Sequence, residues 1–207
     1  MKSVAVLLDI GFLNHALGSR LESRKPTSDE TVAFARACVG ADEELFRIFA
    51  YHCPPYDGVH QHPITREKVD FSSSQQNAQM RDFIDDLATQ DGVAFRAGEL
   101  SFRGWQITKW AAKRLIRGRD TTIEERHLKP EFSQKRVDMK IGLDVAWLAS
   151  KRLVDRILLV TADSDFIPAM KFARREGTQV VLIPMEQPMK RELRMHADEV
   201  RSVAFPR

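Results

Sequence analysis

The feature that most constrains the fold is an alternation near the carboxyl end of the chain. Arg156 to Thr161 is a short apolar run, Phe166 to Glu176 has helical spacing, Gly177 stops it, and GTQVVLIP is apolar again. A strand, a helix closed by glycine and a second strand make a βαβ unit, whose strands run parallel. SVAVLLD, Ser3 to Asp9, reads as another strand covered on both faces, because its apolar run is continuous rather than alternating. Leu45 to His52 reads as a further strand, and helical patterns precede it around Phe12 to Leu21 and from Ser28 to Val39. Repeated units of this kind build an α/β fold, a mostly parallel sheet with helices on both faces.

The rest of the chain is less regular. Cys53 to Asp70 carries prolines, histidines and Gly58 and reads as a long loop, where a second copy of the chain or another protein could meet it. Phe71 to Thr89 has one apolar helical face, and Val93 to Trp110 suggests a strand followed by another strand or a hairpin. Lys109 to Arg136 is polar and basic and takes no assignment. The 207 residues, 43% hydrophobic and 29% charged, suit one domain over residues 1–207. Cys38 and Cys53 are too few for a disulfide framework, and five apolar residues before Asp9 are too few for a signal peptide or a membrane span. These features predict a cytoplasmic protein with no membrane partner.

Apolar strands that end on carboxylates carry the chemistry. In a parallel sheet all strands end at one edge, where such folds bind ligands, and each crossover helix starts near that edge. Asp9 ends the first strand, Asp163 and Asp165 follow the strand from Arg156, and Asp138 opens the helix that leads into that strand. Topology alone therefore sends Asp9, Asp138, Asp163 and Asp165 to one rim. On the helix from Val137, the residues Val137, Ile141, Val145 and Leu148 form a stripe about 80° wide. Asp138 and Asp144 flank it, roughly 9 Å apart along the axis, so Asp144 acts behind the ligands or structurally. The alternative for Asp163 or Asp165 is capping of the next helix, and for Asp138 a helix-start acid. Crowded carboxylates repel one another, and a hard dication, Mg²⁺ or Mn²⁺, offsets that repulsion and activates water.

VAVLLDIGFL, KRVDMKIGLDVA and ILLVTADSDFIPAM with KFARREGTQVVLIP resemble the NYN domains of the PIN-like nuclease superfamily, in particular the LabA-like bacterial branch. The resemblance implies a PIN-like, Rossmannoid α/β fold and metal-dependent ribonuclease chemistry, with Asp9, Asp138, Asp163 and Asp165 as the acidic, metal-holding and catalytic cluster. Two positions depart from the family pattern: Ile10 and Arg136 stand where glycine is usual. Asn14, following the first motif, is placed to contact substrate or a bridging water, or is a plain helix-surface residue.

The substrate expectation comes from a basic tract. Arg103, Lys109, Lys113 and Arg114 interleave with Trp105 and Trp110, and Lys135 and Arg136 extend the charge toward Asp138. Cations neutralise phosphates and aromatics stack unpaired bases, the combination that suits single-stranded nucleic acid; a solvated amphipathic helix accounts for the same letters. No Ser or Cys triad is present, and a Mg²⁺ phosphatase with a DxD strand is disfavoured by Gly11. The leading expectation is a Mg²⁺- or Mn²⁺-dependent endoribonuclease acting on single-stranded RNA; the alternative is a nucleic-acid-binding regulatory module of the same fold with weak catalysis.

Overall fold

A computed structural model describes residues 1–18 and 24–206. These residues pack into two compact units, one of residues 1–52, 82–98 and 136–207, the other of residues 53–81 and 99–135.

The first unit is built on a six-stranded sheet. β1 (Lys2–Asp9), β2 (Glu43–His52), β5 (Val93–Ala97), β8 (Arg156–Val160), β9 (Gln179–Leu182) and β10 (Glu199–Val200) follow the spatial order β10-β9-β8-β1-β2-β5. Every neighbouring pair is parallel. The continuous apolar run of β1 has the cause expected of it: Val4 to Leu8 are all fully buried, covered on both faces. On one face Val4, Val6 and Leu8 meet α1 (Ile10–Leu17) and α2 (Ser28–Ala37) through Leu13, Leu17, Phe34 and Ala35. α2 opens with a capping box, Thr27 and Glu30 each accepting from the other's backbone N–H. α5 (Val137–Ser150) buries its predicted stripe, Val137, Ile141, Val145 and Leu148, and packs beside α6 (Ile167–Arg175). α6 ends at Gly177, whose φ of +89° is the left-handed conformation that glycine takes without strain.

Asp144 lies on the flank of α5 that the helical wheel assigned it. It accepts from the Tyr51 hydroxyl at 2.8 Å and from Arg96 Nε at 3.0 Å, tying α5 to β2 and β5.

The second unit departs from the expectations for residues 53–70 and 109–135, whereas the helix and the two strands expected between Phe71 and Trp110 are present. The stretch read as a loop contains an antiparallel hairpin, β3 (Val59–Gln61) with β4 (Lys68–Asp70). β6 (Glu99–Ile107) pairs antiparallel with β7 (Leu128–Lys135), with a register shift between Phe102 and Gly104. α3 (Gln75–Thr89) begins after a short 3₁₀ turn at Phe71–Ser73, and its residues from Asp82 onward belong to the first unit. The tract without assignment holds α4 (Lys109–Ile116), capped by Thr108 Oγ1. Tyr56, His60, Phe71, Phe102 and Phe132 form this unit's aromatic core, with His60 stacked 4.0 Å from Phe102 and Tyr56 hydrogen-bonded to His60.

The helix expected around Phe12 to Leu21 starts two residues earlier, directly on Asp9, and its last part, residues 19–21, lies outside the described residues. Among the described residues no helix is long and apolar enough to cross a membrane.

Candidate metal centre

The carboxyl ends of β1 and β8 are adjacent because Leu8 pairs with Val160. Asp9 follows Leu8 directly, and Asp163 comes three residues after Val160, so both stand at the same rim. Thr161, fully buried, accepts the Asp163 N–H on its hydroxyl at 3.1 Å and turns the chain there. Asp163 in turn accepts the Asp165 N–H at 2.9 Å, opening the 3₁₀ turn Ser164–Phe166 that leads into α6. α5 runs back from the rim toward the start of β8, which puts Asp138, in its first turn, at the same end.

Asp9 and Asp138 both register neighbouring carboxylates. Burial raises the Asp9 carboxyl above its ordinary range; the Phe12 and Gly11 amides oppose this, while Asp138 and Asp163 push it further up. Asp138 is raised by burial and then by repulsion from Asp163 and Asp165. None of the ion pairs among the described residues uses any of the four. The capping alternative is realised at Asp163, which caps its own turn, and Asp9, for which no cap was expected, accepts from Phe12 N–H at 3.0 Å and caps α1. The Phe12 and Asp165 amides both bond to Oδ1, of Asp9 and of Asp163 respectively.

Among the described residues, no three His, Cys, Asp or Glu side chains close into a ready-made metal-binding group. The chemistry of the donors nevertheless fits a hard dication. They are carboxylate oxygens with repulsion to relieve, and such an ion needs only one or two protein carboxylates with water and phosphate oxygens completing its shell. Asn14 on α1 adds a buried side-chain oxygen with no hydrogen-bond partner among the described residues.

The two departures from the family pattern have separate outcomes. Ile10 is fully buried in the core beneath β1. Arg136 has φ +70° immediately before α5, a backbone conformation that glycine adopts freely and that costs an L-residue about 1–2 kcal/mol. The usual glycine there thus has a physical reason.

The basic tract is divided by the fold. Arg103 and Trp105 lie on β6, Lys109, Lys113 and Arg114 on α4, and Lys135 ends β7, all in the second unit. Trp105 belongs to the aromatic cluster, edge-on to His62 at 4.5 Å, with its indole N–H buried. Arg114 is engaged by both oxygens of Asp120 at 2.7 Å and lies over the Trp110 ring. Arg103, Lys109 and Lys113 are exposed, and Trp110 is half-exposed. Arg136, also exposed, belongs to the first unit.

One residue that the sequence reading passed over also reaches the rim. Lys190, in the segment after β9, donates from Nζ to Ser164 Oγ at 3.2 Å, between Asp163 and Asp165. It lies in the segment that follows β9, beyond the strand ends that the topological rule singled out.

The NYN domain family model matches residues 60–204, through both units; Asp9 lies ahead of the match. A segment of 124 residues is 27% identical to an uncharacterised protein of Methanocaldococcus jannaschii, MJ0482, covering 60% of this chain. The matched part spans half the length of that protein. The crystal structure of a Vibrio parahaemolyticus protein of unknown function, VPA0982, superposes with a TM-score of 0.53 at 15% identity. That likeness covers 98% of this chain and 93% of the other, and it bears on the fold alone. With more than two thirds of its length inside the family match, the chain belongs to the NYN domain family of the PIN-like superfamily, a nuclease-like α/β fold.

Proposed function

We propose that the chain is a Mg²⁺- or Mn²⁺-dependent endoribonuclease that hydrolyses single-stranded RNA. The observation that carries this reading is electrostatic: at one rim Asp138 and Asp163 raise the proton affinity of Asp9, and Asp163 and Asp165 that of Asp138, so carboxylates from three separated segments meet there. Asp9, Asp138 and Asp163 would hold the ion, with Asp165 beside them. A bound dication supplies the positive charge that the attacked phosphodiester needs and lowers the pKa of the attacking water.

The chain's own groups do the remaining work. The Phe12 and Gly11 amides keep Asp9 aimed at the rim, and Thr161 fixes the turn on which Asp163 stands. Asn14 has an acceptor ready for a substrate hydroxyl or a water. Exposed cations, Arg103, Lys109, Lys113, Lys135 and Arg136, supply the sequence-independent attraction for phosphates.

Metal removal gives the test. Cleavage of a single-stranded oligoribonucleotide is expected with Mn²⁺ or Mg²⁺, is abolished by EDTA, and returns when Mn²⁺ is restored. RNA binding in EDTA followed by no cleavage in Mn²⁺ would instead favour the regulatory, weakly catalytic module.

A further inference from the structure

We propose that Lys190 is a phosphate-binding residue of the acidic rim, its ammonium receiving a non-bridging oxygen of a nucleic-acid phosphodiester; this rests on the nucleic-acid reading above. Four observations lead to it, all within the first unit.

The first is position. β9 ends at Leu182 on the same edge as β1 and β8, and the segment after it brings Lys190 Nζ to 3.2 Å from Ser164 Oγ, the residue flanked by Asp163 and Asp165. The second is the way the segment is held. Met185 and Glu186 take φ of +51° and +61° in succession, a conformation that L-residues avoid and that persists only when the surroundings impose it. Met185 is buried in the core, and Gln187 N–H donates to Pro184 O at 2.9 Å. Strain of this kind gathers where a chain must be aimed.

The third is residue type. Lys190 is the residue before α7 (Arg191–Met195), where Ser, Thr, Asp or Asn would cap the helix. Its side chain makes no cap bond and crosses to the turn of Ser164 instead. The fourth is its unused capacity. An ammonium has three donors; here one goes to Ser164, and among the described residues Lys190 forms no ion pair with a carboxylate. A lysine that served only to neutralise the rim would pair with Asp163 or Asp165 directly. Placed beside them, it offers a compact point charge to an anion that the carboxylates alone would repel.

The experiment measures binding, not turnover. Affinity for a labelled single-stranded oligoribonucleotide in EDTA is followed against salt for the wild-type chain, Lys190→Ala and Lys190→Arg. Loss of one phosphate contact makes the slope of log K against log salt shallower by about 0.7 in Lys190→Ala, and Lys190→Arg keeps the wild-type slope. A slope unchanged in Lys190→Ala, the same loss in Lys190→Arg, or a wild-type chain that binds no RNA overturns the assignment. A wild-type chain that binds with the expected slope difference but cleaves nothing in Mn²⁺ defeats the nuclease reading and leaves Lys190 standing. Cleavage by a Lys190→Ala variant with an unaltered slope does the reverse.

Discussion

Asp163→Asn is expected to lower the Mn²⁺-dependent RNA cleavage proposed above by roughly 100- to 1,000-fold, the usual loss on deleting one group that stabilises transition-state charge, with the variant still folded. The amide retains an oxygen at the Oδ1 position, so the Asp165 N–H keeps its acceptor and the turn into α6 keeps its shape. What disappears is the negative charge. Asp9→Asn makes the same distinction more sharply. Its Oδ1 still caps α1 through Phe12 N–H, since Asn caps as well as Asp. In the folded chain, however, the charged form of Asp9 is penalised by burial and by Asp138 and Asp163. Asp9→Asn removes that penalty, so in metal-free buffer at neutral pH its Tm rises while cleavage falls by the same order. A residue kept only for capping would gain no stability from this exchange; one kept for function at a cost to the fold gains it. Undiminished cleavage by both folded variants contradicts the site.

The largest stability effect is expected at the opposite edge of the sheet. Glu43, at the start of β2, has a fully buried side chain that accepts from Arg201 at 2.8 and 3.0 Å, from Arg156 at 2.6 Å and from Gly40 N–H at 2.6 Å. Burial opposes its ionisation, but Arg201, the Gly40 amide and Arg156 outweigh that and hold its carboxyl at about 2. Glu43→Ala removes the buried carboxylate that two mostly buried guanidinium groups share, leaving Arg201 with Glu199 and Arg156 with Asp42 at 3.7 Å, and costs about 3 kcal/mol. For a chain of this size that is a fall in Tm of roughly 10 °C.

The pH dependence has a definite sign. Because the folded-state value is depressed from the ordinary 4.5, the ion-pair stabilisation is complete above 4.5 and is lost as pH falls toward about 2. The Tm gap between the wild-type chain and Glu43→Gln therefore narrows across that window, as thermal melts at graded pH would show. A gap that stays constant down to pH 2 contradicts the ion-pair account.

The parallel sheet was legible because burial on both faces leaves an unmistakable mark. Val4 to Leu8 and Ile157 to Val160 read as unbroken apolar runs, and Val137, Ile141, Val145 and Leu148 read as one helical stripe; all are buried. The rim was legible for a topological reason, since parallel strands deliver their terminal residues to one edge whatever their separation in sequence. Part of residues 53–135 resisted for the opposite reason. Their core joins Tyr56, Phe71, Phe102 and Phe132, aromatic residues far apart in the chain that no local period connects. The irregular register at Gly104 masks the alternation of β6, and α4 has only Ala111 fully buried, too little for a periodic signal. Trp105, expected at an RNA surface, is half-buried beside Phe71 with its indole N–H enclosed, and Trp110 is half-exposed. At the family level the match reaches NYN, and the LabA-like branch is a finer division than it resolves.

The central claim is that one dication relieves the repulsion among Asp9, Asp138 and Asp163. A crystal structure grown with Mn²⁺, with the ion located by its anomalous scattering, tests it most directly. The account predicts a peak at the carboxyl ends of β1 and β8 with oxygens of these aspartates within about 2.3 Å. An ion bound elsewhere, or a Mn²⁺-saturated crystal in which the three carboxylates stay apart with no peak between them, contradicts it.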